Sequence, residues 1–172
     1  MGDIMEIRDL YDKDRNVTGK TMIKGETIPE GYYMLVVLIF IQDKNGKFLI
    51  QKRSVEKNGK YATTGGHPKS GESSIDGVIT EVKEELGLDI NKEDLTLYFS
   101  ERFDDERVFC DDYYIKMDID LDSLLLQEEE VESVHLFTKD EIIDLYNNGL
   151  FFMNHFYEFE LLIKWLEETN RG

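Results

Sequence analysis

The stretch from Gly65 to Leu88 constrains the fold of this chain more than any other. It begins with two adjacent glycines, passes a third at Gly71, and then carries a helical pattern with its own start and stop. Ile75, Val78, Ile79, Val82 and Leu86 recur at helical spacing and form one apolar stripe. Ser73 or Ser74 can accept a free backbone N–H at the helix start, and Gly87 supplies the left-handed position that ends a helix. The spacing predicts a helix over 73–86 whose stripe must be buried against another element. The paired glycines end a strand before it. Glycine lets backbone approach a ligand closely, and the free N–H groups of a helix N-terminus favour anions.

The rest of the chain supplies the partners for that helix. Met5, Ile7 and Leu10, the turn-rich 12–16, then Val17, Met22 and Ile23 predict a small N-terminal hairpin. Tyr32 to Gln42 is an apolar, β-branched run expected to be a buried strand, and a tight turn over 43–47 leads into a second strand, 48–51. Further strands are expected over 95–99, 113–119 and 133–137. Thr138 to Glu141 is a capping box opening a helix that Asn148-Gly149 ends, and 156–168 reads as a last helix. Strands mixed with three helices predict an α/β sandwich with a mixed β-sheet. The length, 172 residues, suits one domain, 1–172, with 1–30 as an N-terminal β-hairpin extension.

Composition excludes several classes of function. The single cysteine, Cys110, leaves no internal disulfide framework and fits a reducing compartment. The apolar run Met34 to Ile41 is too short to span a bilayer, and the N-terminus carries no basic apolar signal. A cytoplasmic protein is expected. Lys and Arg total 20 against 37 Asp and Glu, a formal charge of −17. Such a field repels nucleic acid and anionic membranes, so neither is expected as a partner. It also repels free polyphosphates, so an enzyme acting on them needs bound cations or a local basic pocket.

Glu81, Glu84 and Glu85 occupy about 100° of arc beside the apolar stripe, with Gly77 one turn earlier leaving room. Three carboxylates so close repel one another, and a hard divalent cation relieves that repulsion while bridging to substrate phosphates. An isolated Glu-x-x-Glu-Glu would be read as a solvated face; the glycine loop before it favours a site. The run from Gly66 to Leu88 resembles the Nudix box, G-x5-E-x7-R-E-U-x-E-E-x-G-U with U aliphatic. Gly66, Glu72, Glu81, Val82, Glu84, Glu85, Gly87 and Leu88 fill its positions, and Thr80 stands where the family has Arg. The resemblance implies the Nudix α/β/α sandwich with the box, 66–88, as a loop-helix-loop motif. It implies that Glu81, Glu84 and Glu85 hold Mg²⁺ (or Mn²⁺) and carry catalysis, with the Gly66 carbonyl as a further ligand. Glu72 would tie the loop to the metal cluster. Thr80 can hydrogen-bond but supplies no charge, so either reduced activity or compensation from Lys83, Arg53 or a loop Arg is expected.

The Gly66-His67-Pro68 loop also resembles that of type I isopentenyl-diphosphate isomerases, which share this fold, and so does 49–54 with Lys57. That resemblance implies diphosphate contacts from Arg53 and Lys57, and His67 is assigned to the same site. Lys60 is a further candidate. In the isomerases a Cys precedes Gly-His-Pro; here Gly65 stands there, and Cys110 does not match. The stretch Ser100 to Asp112 is expected to be the substrate-selecting loop, Glu128, Glu129, Glu130 and Glu132 surface, and His135 and His155 structural. The reading is a Mg²⁺-dependent hydrolase of a diphosphate linkage in a nucleoside diphosphate derivative or related small molecule, a monomer or homodimer. A non-catalytic diphosphate-binding Nudix domain and an isomerase stand as alternatives.

Overall fold

The expected apolar run forms the central strand β3 (Met34–Gln42). Leu35, Val37, Ile39 and Ile41 enter the core on one face, and Leu38 and Phe40 the core on the other. Burial on both faces explains why the run is apolar throughout rather than alternating. The structure, a computed structural model, describes residues 5–169; residues 1–4 and 170–172 of the expected domain lie outside the described residues.

Around β3 the sheet is mixed. β4 (Phe48–Arg53) leaves the expected turn antiparallel to β3, but the two pair only at Gln42 and Phe48 before they diverge. The gap is filled on β3 by β6 (Thr64–Gly66) and on β4 by β9 (Val131–Phe137), both antiparallel, while β5 (Tyr61–Ala62) edges β4. On its other side β3 pairs in parallel with β8 (Val108–Lys116), which pairs antiparallel with the edge strand β7 (Thr96–Phe103).

Helices cover both faces, giving the α/β/α sandwich expected from sequence. The helix α1 (Ser74–Leu86) runs as its spacing predicts, with Ser73 accepting from the Asp76 N–H and Gly87 at φ 66°. Val78, Val82 and Leu86 are fully buried against the odd-numbered face of β3, each contributing about 1.5–3 kcal/mol. On the opposite face lie α2 (Lys139–Asn147), opened by the Thr138 capping box, and α3 (Met153–Thr169). Phe156, Phe159, Leu162 and Leu166 of α3 pack there with Leu38, Phe40, Phe48 and Ile50.

The N-terminal hairpin forms as expected, as a separate two-stranded sheet of β1 (Ile7–Tyr11) and β2 (Val17–Ile23). Leu10 and Met22 make a small core with Met34, and Tyr11 exchanges backbone hydrogen bonds with Tyr33, 2.9 Å each way.

One expectation is overturned. Ser100 to Asp112 is not a loop: it is the β7–β8 hairpin, paired from Thr96↔Tyr114 to Phe103↔Val108. Cys110, Asp111 and Asp112 lie inside β8 and are buried. Charged residues in a buried strand imitate a loop in the sequence because their partners lie far along the chain.

Candidate active site

The loop between β6 and α1 is shaped by close packing. A side chain at Gly65 would put its Cβ 2.9 Å from the Val37 carbonyl oxygen, because β6 is paired to β3 there. At Gly66 a Cβ would lie 2.5 Å from Cδ of Glu81, so the box carboxylate rests on bare backbone. Gly77 does not leave room for a ligand; the ring of Pro68 fills the space, 2.5 Å from where a Cβ would be.

The helix then places its acids at different depths. Glu85 is only 5% exposed. Its Oε1 accepts from the Gln51 amide at 3.1 Å, and Gln51 in turn accepts from the Thr64 hydroxyl at 3.1 Å. Its Oε2 is buried with no donor. Burial and then the neighbouring Glu85 raise the proton affinity of Glu81, and burial raises that of Glu85. Glu84 stays open to solvent and pairs with the Lys69 ammonium at 2.8 Å.

Glu72 and Thr80 act on the loop instead. The Thr80 hydroxyl donates to Glu72 at 2.6 Å, and the Lys69 N–H donates to the other Glu72 oxygen at 2.7 Å. Of the compensating cations expected for the missing guanidinium, Lys83 is engaged with Asp89 at 3.0 Å. Among the described residues, Lys69 forms an ion pair with the box Glu84.

Gly66, Glu81, Glu84 and Glu85 line one side of a pocket of about 220 Å³ that also takes in Arg53, Lys57 and His67. The fold thus brings together the expected metal and diphosphate residues other than Lys60. It also adds residues not foreseen from sequence: Glu6, Arg8 and Lys24 from the hairpin, and Gln127 and Glu130 from the segment before β9. Glu130 corrects the expectation that 128–132 is plain surface; it pairs with Lys57 at 3.2 Å. Lys60 is elsewhere, its ammonium bonded to the Gly149 carbonyl. Burial and then Arg8 hold the His67 pKa down to about 4, leaving a neutral imidazole.

A family model for the NUDIX domain matches residues 32–158. The chain is also 38% identical over 162 residues to an uncharacterized Nudix hydrolase of Listeria innocua, covering 90% of this chain and 95% of that protein. The chain belongs to the Nudix hydrolase family. Among solved structures, DR0079 of Deinococcus radiodurans matches with a TM-score of 0.68 at 20% identity, over 84% of this chain and 91% of that one. The NUDIX domain of Shewanella oneidensis NrtR, solved with ADP ribose, matches with a TM-score of 0.62 at 15% identity, over 78% and 88%. At such identities these two likenesses concern the fold.

Beside the Nudix box lies a larger cavity of about 560 Å³, sharing Arg53, Gly66, His67, Glu85 and Glu130 with the smaller pocket. Phe103, Phe152 and Tyr157 line it, and the Arg53 guanidinium sits 5.0 Å from the Phe152 ring centre. His155 also lines it, with a buried and unpartnered Nδ1. Of the Ser100–Asp112 residues, Phe103, Glu106, Val108 and Cys110 reach the cavity; Arg102 pairs with Asp104 at 2.7 Å instead. Burial pushes the Cys110 thiol far up, so it is no nucleophile at neutral pH. Among the described residues no helix is long and apolar enough to cross a membrane.

Proposed function

We propose that this single Nudix domain, 1–172, hydrolyses a diphosphate linkage in a nucleoside diphosphate derivative or related small molecule, using Mg²⁺ or Mn²⁺. The observation that carries this reading is the buried Glu85 oxygen with no donor, beside Glu81, in a pocket also lined by Arg53 and by Arg8, Lys24 and Lys57, the last three paired with Glu6 or Glu130. An orphaned carboxylate next to a second buried one fits a cation, and basic side chains in the same pocket fit phosphate. Glu81, Glu84 and Glu85 with the Gly66 carbonyl would hold the ion. When bound, the cation supplies charge neutralisation at the phosphoryl oxygens and acidifies a water.

The chain's own residues do the rest. Arg53, Lys57, Arg8 and Lys24 orient the diphosphate by charge, and neutral His67 offers an N–H to the same group. Gln51, steadied by Thr64, fixes the Glu85 rotamer. Thr80 and Lys69 hold Glu72 and thereby the loop, a neutral substitute for part of what an Arg would do. The aromatic cavity would take the group beyond the diphosphate, and its volume is within the range of small-molecule sites. ADP ribose bound to the Shewanella NrtR domain supports a nucleotide derivative as the substrate class. The hairpin seated on a Gly-His-Pro loop is the feature we assign to the isopentenyl-diphosphate isomerase-like branch of the family; Gly65, hemmed in by β3, speaks against isomerase chemistry itself.

The test is release of phosphate or mononucleotide from a panel of nucleoside diphosphate derivatives, with and without Mg²⁺. Metal-dependent release from at least one member is expected, and Glu85→Gln is expected to lower it by orders of magnitude while leaving the fold intact. No release from any member, with diphosphate binding retained, would replace this reading with a binding domain.

A further inference from the structure

Outside the box, one cluster of side chains has a chemistry that neither the core nor the diphosphate site uses. Cys110 and Asp112 alternate on β8 and so share a face of the sheet, and Glu158 of α3 packs onto that face. The Cys110 sulfur lies 3.2 Å from Asp112 Oδ1 and 3.0 Å from Glu158 Oε1, and the three groups present donor atoms all within 4.8 Å of one another.

The cluster is buried and short of positive charge. Asp112 is 0% exposed, and its Oδ2 has no hydrogen-bond partner. Among the described residues no Lys, Arg or His is shown paired with Asp112 or Glu158; the weak Cys110 S–H reaches both carboxylates, and the neighbouring Tyr98 hydroxyl donates to the Glu158 backbone carbonyl at 3.1 Å. Two carboxylates so placed demand protons or a cation. Cys110 and Glu158 also line the 560 Å³ cavity, which gives an ion a way in and leaves a position open for water.

We propose that Cys110, Asp112 and Glu158 form a second metal site, separate from the box glutamates, that takes a borderline divalent ion such as Zn²⁺ in preference to Mg²⁺. Mg²⁺ requires oxygen ligands, whereas a thiolate among carboxylates favours softer ions. Zinc–sulfur and zinc–oxygen bonds of usual length put tetrahedral S and O donors about 3.5 Å apart. The sulfur–oxygen gaps of 3.0 and 3.2 Å need to open by only a few tenths of an ångström. Binding releases the Cys110 proton, and any proton held by Asp112 or Glu158, to solvent as the metal–ligand bonds form.

The test uses the full chain, stripped with a chelator, in excess Mg²⁺, titrated with Co²⁺ as a spectroscopic stand-in for Zn²⁺. Cys110 is the sole cysteine, so a thiolate-to-metal absorption band has one source. The expected result is such a band, saturating at one Co²⁺ per chain and abolished by Zn²⁺. Cys110→Ser removes the band, Asp112→Asn weakens Co²⁺ binding by about tenfold or more, and Glu85→Gln in the box leaves the band unchanged. If Cys110→Ser does not fold, the wild-type band and the Asp112→Asn titration decide. No band in the folded wild-type chain, or a band indifferent to Asp112→Asn, overturns the proposal. Because the readout is a band that the box variant keeps, its failure is distinguishable from failure of the hydrolase reading.

Discussion

At the scale of single residues, the site depends on an absence at Gly66. The nearest atoms to a Cβ there would be the end of the Glu81 side chain, 2.5 Å away, and that end can swing aside. Gly66→Ala should therefore fold, with stability changed by less than about 1 kcal/mol, yet displace a box carboxylate. We expect its Mg²⁺ requirement to rise at least about tenfold in a metal titration of turnover; an unchanged requirement would show that Glu81 does not bind the ion. His155 makes a different prediction. Burial, with Arg53 adding, lowers its pKa from 6.5 to about 3. Between those values the unfolded chain binds a proton that the fold refuses. The stability is thus fully present above 6.5 and is lost as pH falls toward about 3, at up to about 1.4 kcal/mol per pH unit. His155→Phe should lose less stability than wild type between about pH 7 and about pH 5 in urea unfolding; equal losses would mean that the imidazole is already solvated.

At the scale of elements, α1 and the loop before it form one packed unit. Alanine in place of a helical glycine ordinarily gains about 1 kcal/mol. At position 77 the new Cβ would sit 2.5 Å from Pro68 Cγ and 3.1 Å from its Cα, and a proline ring cannot swing away. Overpacking of that kind costs about 1–3 kcal/mol, so Gly77→Ala should lower the melting temperature and shift the box loop. A raised melting temperature would show that the loop yields to the added methyl group. This helix was legible in the sequence because its signals are local: the stripe, Ser73 and Gly87 all lie within or next to it. The first half of β8 was not. Asp111 is satisfied by Arg15 and Ser100, and Cys110 by Glu158, and none of these is a neighbour in sequence.

At the scale of the whole molecule, the hairpin is tied to the site it helps to build. Asp9 accepts from the Ser70 hydroxyl at 2.6 Å and the Gly71 N–H at 2.9 Å, and Arg15 forms a two-pronged pair with buried Asp111. These contacts hold Arg8 and Lys24 in the pocket beside the box, where they pair with Glu6 at 2.7 Å and Glu130 at 3.9 Å. Arg15→Ala would leave Asp111 without its cation. Because Arg15 is about one-third exposed, we expect a loss of about 2 kcal/mol rather than the full cost of breaking a buried pair. Amide exchange should rise in β1 and β2, and KM for the diphosphate should rise more than kcat falls. Unchanged exchange in the hairpin would show that its apolar contacts alone secure it.

The sequence by itself determined the central strand, the capped helix, and the glycines and glutamates of the box. Those features repeat or cap over a few residues, so their physics can be read along the chain. Only the tertiary structure decided which cations face the glutamates. It brought Arg8, Lys24 and Glu130 to the pocket, removed Lys60, bonded Thr80 to Glu72 and paired Lys69 with Glu84. It also gathered Cys110, Asp112 and Glu158 from two elements. Charge and hydrogen bonding act through space, and residues far apart along a chain leave no periodic trace of meeting.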